Sequence, residues 1–414
     1  MSAMENIIPR LEYLKWLGEH RGKNLIKVLT GMRRTGKSTI LRLFAESLRK
    51  EGVGERQIVF VNFDEIENEQ LRDSRTLYAY LKSHLVKGKT VFFFLDEIQK
   101  VERFEEVLDS LYVKPGVDIY VTGSTADLFS SEIATLLTGR YVEVNVLPFS
   151  FNEAKLARGD ISAQTERRLF MDYLTYGALP ESFAYSPGSA EQREYVESVF
   201  RTILEKDLLR RKTDGGRILV DVILRYMTGC IGSLTSAKRI ADRLSASGTK
   251  VAPNTVSAYL ELFTDSFMFY RADRFDVAGG EYLKLVNKYY LSDFGFKHYI
   301  LNNPAVELQQ LIENAVFLEL KRRRCRVATG RVRDKEIDFV VRDTLGGIKY
   351  VQVAVTVASE DKLRQELSSL KMVKDNYPKY ILTLDDIYVE NHDGIRTLNI
   401  VDFFAGRCDI LSER

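Results

Sequence analysis

The run Gly31-Met32-Arg33-Arg34-Thr35-Gly36-Lys37-Ser38 places two glycines around four residues and closes on a lysine and a hydroxyl. Glycines at those points let a tight loop turn its backbone N–H groups inward onto phosphate oxygens. The lysine then reaches the terminal phosphates, and the hydroxyl can ligate Mg²⁺. The candidate phosphate-binding set is therefore Gly31, Met32, Arg33, Arg34, Thr35, Gly36, Lys37, Ser38 and Thr39, a Walker A loop. Its expected ligands are ATP and Mg²⁺, the latter on Ser38.

A second pair of residues suits the same chemistry. Val91-Phe92-Phe93-Phe94-Leu95 delivers Asp96 and Glu97 to the end of an apolar run, the Walker B arrangement. Asp96 is expected to hold the metal, directly or through water, and Glu97 to polarise the attacking water. Adjacent acids after a strand can also simply cap the next helix. The run Asp118 to Thr122 leads into Gly123-Ser124-Thr125, so Ser124 or Thr125 is placed to sense the terminal phosphate, unless both only cap a turn. Arg140 offers a guanidinium for the charge on the transferring phosphoryl group, and acting in trans it would require an oligomer. Its alternative is an ordinary surface ion pair. Ile8-Pro9-Arg10 is a candidate neighbour of the base.

These residues need a scaffold that brings strand ends together. Apolar runs at 25–29, 58–61, 91–95 and 119–121 alternate with helical stretches, which predicts an α/β layer with a parallel sheet of buried strands. The first segment reads as strand, loop and helix, the context a phosphate loop requires. Beyond Pro148 the pattern becomes polar and helical, and Gly and Asp at 212–216 mark a further break. Two helices at 236–246 and 253–264, followed by β-type runs at 267–272 and 283–291, have the order of a winged helix-turn-helix. A last helix at 309–323 and strands near 336–341, 348–357 and 380–384 form another α/β module. The division expected is 1–150 for the ATPase core, 151–215 for a helical subdomain, 216–300 for a winged-helix-like module and 301–414 for the terminal domain.

A chain of 414 residues exceeds one comfortable core, in keeping with several modules. With 45% hydrophobic and 29% charged residues it belongs with globular rather than disordered proteins. No run approaches the roughly 18 apolar residues of a membrane span, and the start of the chain lacks a signal pattern, so the expectation is a cytoplasmic protein without a membrane partner. Cys230, Cys325 and Cys408 form no CxxC pair, and His20, His84, His298 and His392 show no ligand spacing, which argues against a disulfide framework and a transition metal. The net charge of +2 conceals basic clusters at Arg210-Arg211-Lys212 and Lys321 to Arg326, where a polyanion would be sought.

The phosphate-loop string Leu29 to Ser38 closely resembles that of a prokaryotic family of AAA-type P-loop ATPases with a C-terminal domain of unknown function. Matching stretches include Leu95-Asp96-Glu97-Ile98-Gln99, Leu136 to Arg140, Pro148 to Phe151, Tyr176 to Pro180, Lys288 to Asp293 and Glu313 to Val316. The resemblance thus spans nearly the whole chain. It implies an AAA-like ATPase, a winged-helix-like middle and a restriction-nuclease-like, PD-(D/E)XK-like end. Where the family commonly has Gly-Ser-Asn on its sensor strand, this chain has Gly123-Ser124-Thr125.

In the terminal module, Glu313 and Asp338 match the first two acids of the nuclease signature. The third position reads Gln352-Val353-Ala354, an amide for the acid and a methyl for the lysine. A degenerate domain without cleavage is the expectation. The second helix of the winged-helix-like module, Asn254 to Glu261, contains no Lys or Arg, although Lys238, Arg239 and Arg243 precede it. The leading reading is an ATP- and Mg²⁺-dependent, DNA-associated oligomeric motor or remodeller. Its rivals are a nucleotide-controlled switch binding a protein partner and, more remotely, an ATP-regulated nuclease.

Overall fold

The β-branched and aromatic runs of the first part of the chain are buried strands in the computed structural model, which describes residues 7–126, 137–159, 163–209, 214–301 and 307–411. Helix α1 spans Leu11–His20, β1 Ile26–Thr30, α2 Lys37–Lys50, β2 Ile58–Asn62 and α3 Ser74–Ser83. Then come β3 Val91–Asp96, α4 Phe104–Tyr112, β4 Val117–Gly123 and β5 Tyr141–Asn145. The five strands pair only in parallel, in the order β2-β3-β4-β1-β5. Alternate side chains fill the two faces, as the strand period of two requires. Phe93, Leu95 and Val121 enter one core, while Phe92, Phe94 and Tyr120 pack with Ile40, Leu41 and Phe44 of α2 in the other.

This strand order positions the site. Because β4 lies between β1 and β3, its C-terminal residues come between the loop after β1 and the acids ending β3. Ligands of open parallel sheets gather at that edge.

The chain divides into two compact units, residues 1–147 with 265–267, and residues 148–264 with 268–414. The second contains helices Phe151–Arg158, Ala163–Tyr176 and Ala190–Ile203, then Asp214–Gly229, Ala237–Ala246 and Pro253–Asp265. Its strands are β6 Phe269–Asp276, β7 Glu281–Leu291, β8 Arg326–Val332, β9 Lys335–Arg342, β10 Ile348–Ala354, β11 Lys379–Thr383, β12 Asn391–His392 and β13 Ile395–Asn399. All eight join one mixed sheet, ordered β12-β13-β11-β10-β9-β8-β6-β7. The hairpin expected as a wing is therefore not free: β6 pairs in parallel with β8, and Arg274 to Asp276 align with Thr329 to Arg331. Strand β8 was not expected from its sequence, because Arg326-Val327-Ala328-Thr329-Gly330-Arg331-Val332 mixes polar residues and a glycine into the run. Among the described residues no helix is long and apolar enough to cross a membrane.

Candidate active site

Beyond β1 the backbone turns at Gly31 with φ 137°, where a Cβ would lie 2.4 Å from the Val146 carbonyl oxygen. Only glycine fits there. Arg34 and Gly36 also adopt left-handed backbone, at φ 67° and 95°, and α2 opens on Lys37. The Thr35 hydroxyl donates to the Met32 carbonyl at 2.9 Å, closing the loop on itself. Lys37 is buried, and its Nζ donates to the carbonyls of Gly31 at 2.8 Å and Met32 at 3.0 Å. The carbonyls leave the ammonium charged, and that charge acts on Asp96.

Arg10 does something the sequence reading did not anticipate. Its guanidinium is buried and donates to the Thr35 carbonyl at 2.8 Å and the Leu147 carbonyl at 2.9 Å. It lies 4.8 Å from the ring of Tyr13 on α1. Arg10 thus supports the loop through the backbone of Thr35.

At the end of β3, Asp96 is buried and accepts hydrogen bonds from the hydroxyls of Thr122, at 2.6 Å, and Ser38. Burial pushes its carboxyl above the usual range, while those two hydrogen bonds oppose the rise. Ser38 and Asp96 together present hard oxygen ligands of the kind Mg²⁺ takes, so the residues fit that ion. Glu97 follows in left-handed backbone, φ 59°, and its N–H donates to Thr122 Oγ1 at 2.8 Å. Thr122 therefore ties both acids to β4, a role its place near the end of an apolar run did not disclose.

The Glu97 carboxylate turns toward the end of β4. Its Oε2 accepts from Ser124 Oγ at 3.0 Å and Gln99 Nε2 at 2.5 Å, and Gln99 Nε2 also donates to Ser124 Oγ at 3.1 Å. Of the two sensor candidates, Ser124 meets the acid; Thr125 lies half-buried one residue beyond. Met32 is buried, Arg33 and Ser38 half-buried with Thr39, and Arg34 exposed.

Arg140 is elsewhere. Its carbonyl accepts from Ile26 N, and Tyr141 aligns with Ile26, so it sits at the N-terminal edge of the sheet. The loop after Thr30 lies at the other edge, about 16 Å away for a five-residue strand. The guanidinium pairs with Asp109 of α4 and stacks over Tyr112. It does not reach the phosphate loop of its own chain.

The second unit holds an acidic centre of different character. Glu313, on helix Leu308–Arg322, accepts from Lys288 Nζ at 2.8 Å and from the Tyr290 hydroxyl at 2.7 Å. The same ammonium lies 2.7 Å from Glu336 and 3.8 Å from Asp338. Burial works against the charge on Lys288, but Glu313, Asp338 and Glu336 together raise its pKa above the ordinary lysine value. Burial, then Glu313, pushes Asp338 well upward, against the pull of Lys288. Gln352 accepts from Asp338 N at 2.7 Å and donates to Glu366 at 2.9 Å. Among the described residues no group of three or more acids, histidines and cysteines is arranged to hold a metal.

The basic run of this unit is also structural. Arg322 is 5% exposed in its side chain, bonds to the Pro148 carbonyl at 2.9 Å and pairs with Glu319. Arg323 pairs with Glu319 at 2.9 Å and Asp409 at 3.2 Å. Two arginines expected to face a polyanion are thus occupied, because a helix C-terminus folds its cations back onto an acid one turn earlier. Arg210-Arg211-Lys212 lies outside the described residues.

With this geometry in hand, the comparisons with known proteins become informative. A profile of the AAA domain matches residues 23–155, which contain the phosphate loop and both acids. A protein of Haemophilus influenzae, described as uncharacterized, is 31% identical over 96% of this chain and 98% of its own length. The chain belongs to that protein's family, and its residues 23–155 carry an AAA domain with a P-loop. An uncharacterized protein of Methanocaldococcus jannaschii is 26% identical over 92% of the chain and 85% of its own length. Among solved structures, a Walker-type ATPase of Pyrococcus abyssi shares the fold, with a TM-score of 0.52, at 19% identity over 73% of this chain and 98% of that chain. Residues 167–307 match a domain of unknown function, DUF8612.

Proposed function

We propose that the chain hydrolyses ATP, with Mg²⁺, at the loop between β1 and α2. The observation that carries this reading is the chain of hydrogen bonds from Ser38 through Asp96 and Thr122 to Glu97, beside the buried ammonium of Lys37. Backbone N–H groups of residues 31–38 cradle the phosphates, and Lys37 leaves its two carbonyls for the terminal phosphate oxygens. Ser38 and Asp96 hold the metal, which supplies charge neutralisation on the phosphate oxygens. Glu97, anchored through Oε2, accepts the proton of the attacking water. Ser124 fixes the rotamer of that base.

The second unit is the part that meets a partner. Lys238, Arg239 and Arg243 are exposed and support DNA as that partner. The exposed Asn254, Thr255 and Glu261 of the following helix add no cation, and Arg322 and Arg323 are occupied, which favours the second reading, a nucleotide-controlled switch on a protein partner. DNA cleavage is not proposed, since Lys288 fills the acidic centre and Gln352 and Ala354 supply neither acid nor lysine.

Lys37→Ala should reduce phosphate release from ATP below about a hundredth of the wild-type rate, because the charge on the terminal phosphate is left uncompensated. Unchanged turnover would remove the site assignment. Measuring the wild-type rate with and without duplex DNA separates the partners: stimulation by DNA supports the first, and indifference to DNA the second.

A further inference from the structure

We infer that Gln99 is a catalytic residue of this site, the second acceptor that holds the attacking water against Glu97. The inference rests on Glu97 being the base. A carboxylate only accepts hydrogen bonds, so the Gln99 amide must turn its NH₂ group toward Glu97 Oε2. The rest of the proton arrangement then follows. One amide hydrogen goes to Glu97 Oε2, the other to Ser124 Oγ, and the Ser124 hydroxyl donates its own hydrogen to Glu97 Oε2.

All donors in this cluster are then used, and two acceptors remain. Gln99 Oε1 is buried and has no partner among the described residues. The side-chain hydrogen bonds to Glu97 all end on Oε2, which leaves Oε1 of the carboxylate open. A buried carbonyl without a donor is costly, and flipping the amide cannot relieve it without setting oxygen against carboxylate. One water satisfies both acceptors with its two hydrogens.

Such a water is oriented for attack. Its hydrogens point at Glu97 Oε1 and Gln99 Oε1, so its lone pairs face away from them, toward the terminal phosphate. As its oxygen bonds to the terminal phosphorus, the bond from phosphorus to the ADP oxygen breaks. One proton passes to Glu97, which returns it to the released phosphate, and the other O–H stays on Gln99. Water and ATP thus give ADP and phosphate with no further reactant.

Gln99→Ala and Gln99→Met test this, the second keeping the volume without the amide. Each should lower kcat roughly 10- to 100-fold while the Kd of a fluorescent ATP analogue and the Tm stay at wild-type values. If Gln99→Ala does not fold, Gln99→Met decides. Retention of kcat within about twofold in a folded variant, or a loss that merely follows weaker nucleotide binding, would overturn the inference. Glu97→Gln, run in parallel, keeps the two readings apart: wild-type turnover in that variant refutes the base itself, whereas its inactivity beside a fully active Gln99→Met refutes only Gln99.

Discussion

Two acidic centres in this chain have opposite solutions to the same electrostatic problem. Asp96 and Glu97 accept hydrogen bonds from the neutral donors of Ser38, Thr122, Ser124 and Gln99, and the nearby Lys37 donates to carbonyls while its charge acts on Asp96. Glu313, Glu336 and Asp338 gather instead around the internal ammonium of Lys288. The first centre keeps its charges available for an external cation and a phosphate. The second already holds an internal cation. Counting acids therefore says less about metal chemistry than finding what already balances them.

The sharpest way to break the comparison is to remove the internal cation. Lys288→Met leaves three carboxylates around an apolar side chain and should destabilise the protein by about 3–5 kcal/mol at neutral pH, as read by chemical denaturation. Adding Glu313→Gln should recover part of the loss. Unchanged stability in Lys288→Met would show that the ammonium does not hold this centre together.

Asp293 extends the comparison to a buried carboxyl with backbone donors. It accepts from the N–H groups of Ala178 at 2.7 Å and Gly295 at 2.9 Å, and burial pushes it up to about 6 against those bonds. The folded state thus binds this proton more tightly than the unfolded chain. Its contribution to stability is complete below the unfolded value, about 3.9, and is lost as pH rises through about 6, by roughly 3 kcal/mol. Asp293→Asn should flatten that fall, at a cost of about 1–3 kcal/mol at the acid end because one N–H then faces an amide NH₂. An unaltered pH dependence would contradict the assignment.

The smallest effect on stability is expected at Arg140, which belongs to neither centre. Its pair with Asp109 is partly exposed on both sides, so Arg140→Ala should cost about 0–1 kcal/mol. If Arg140 serves a neighbouring copy, mixing Arg140→Ala with Lys37→Ala should restore turnover that neither variant shows alone. Mixtures no better than their parents would leave it as a structural ion pair.

What was legible in the sequence follows the same division. The phosphate loop could be read because its glycines, lysine and hydroxyl are adjacent, and positive φ at Gly31 and Gly36 is a local requirement. Asp96 and Glu97 could be read because an apolar strand precedes them. Thr122 and Gln99 could not: their importance depends on β4 lying beside β3, which only the sheet order reveals. Lys288 gave no such local signal: the alternation along β7 sends it and Tyr290 to the same buried face as Glu313. Arg322 and Arg323 misled for the converse reason, since a basic run names charge without naming the acids that engage it.

The most direct test of the account is ATP turnover by Glu97→Gln, with nucleotide binding measured on the same preparation. The amide keeps the shape of Glu97 but cannot take the proton from water. Phosphate release should fall by about 10²- to 10⁴-fold while the Kd for ATP with Mg²⁺ stays at its wild-type value. Turnover at the wild-type rate would contradict the claim that the centre beside the phosphate loop is the one prepared for chemistry.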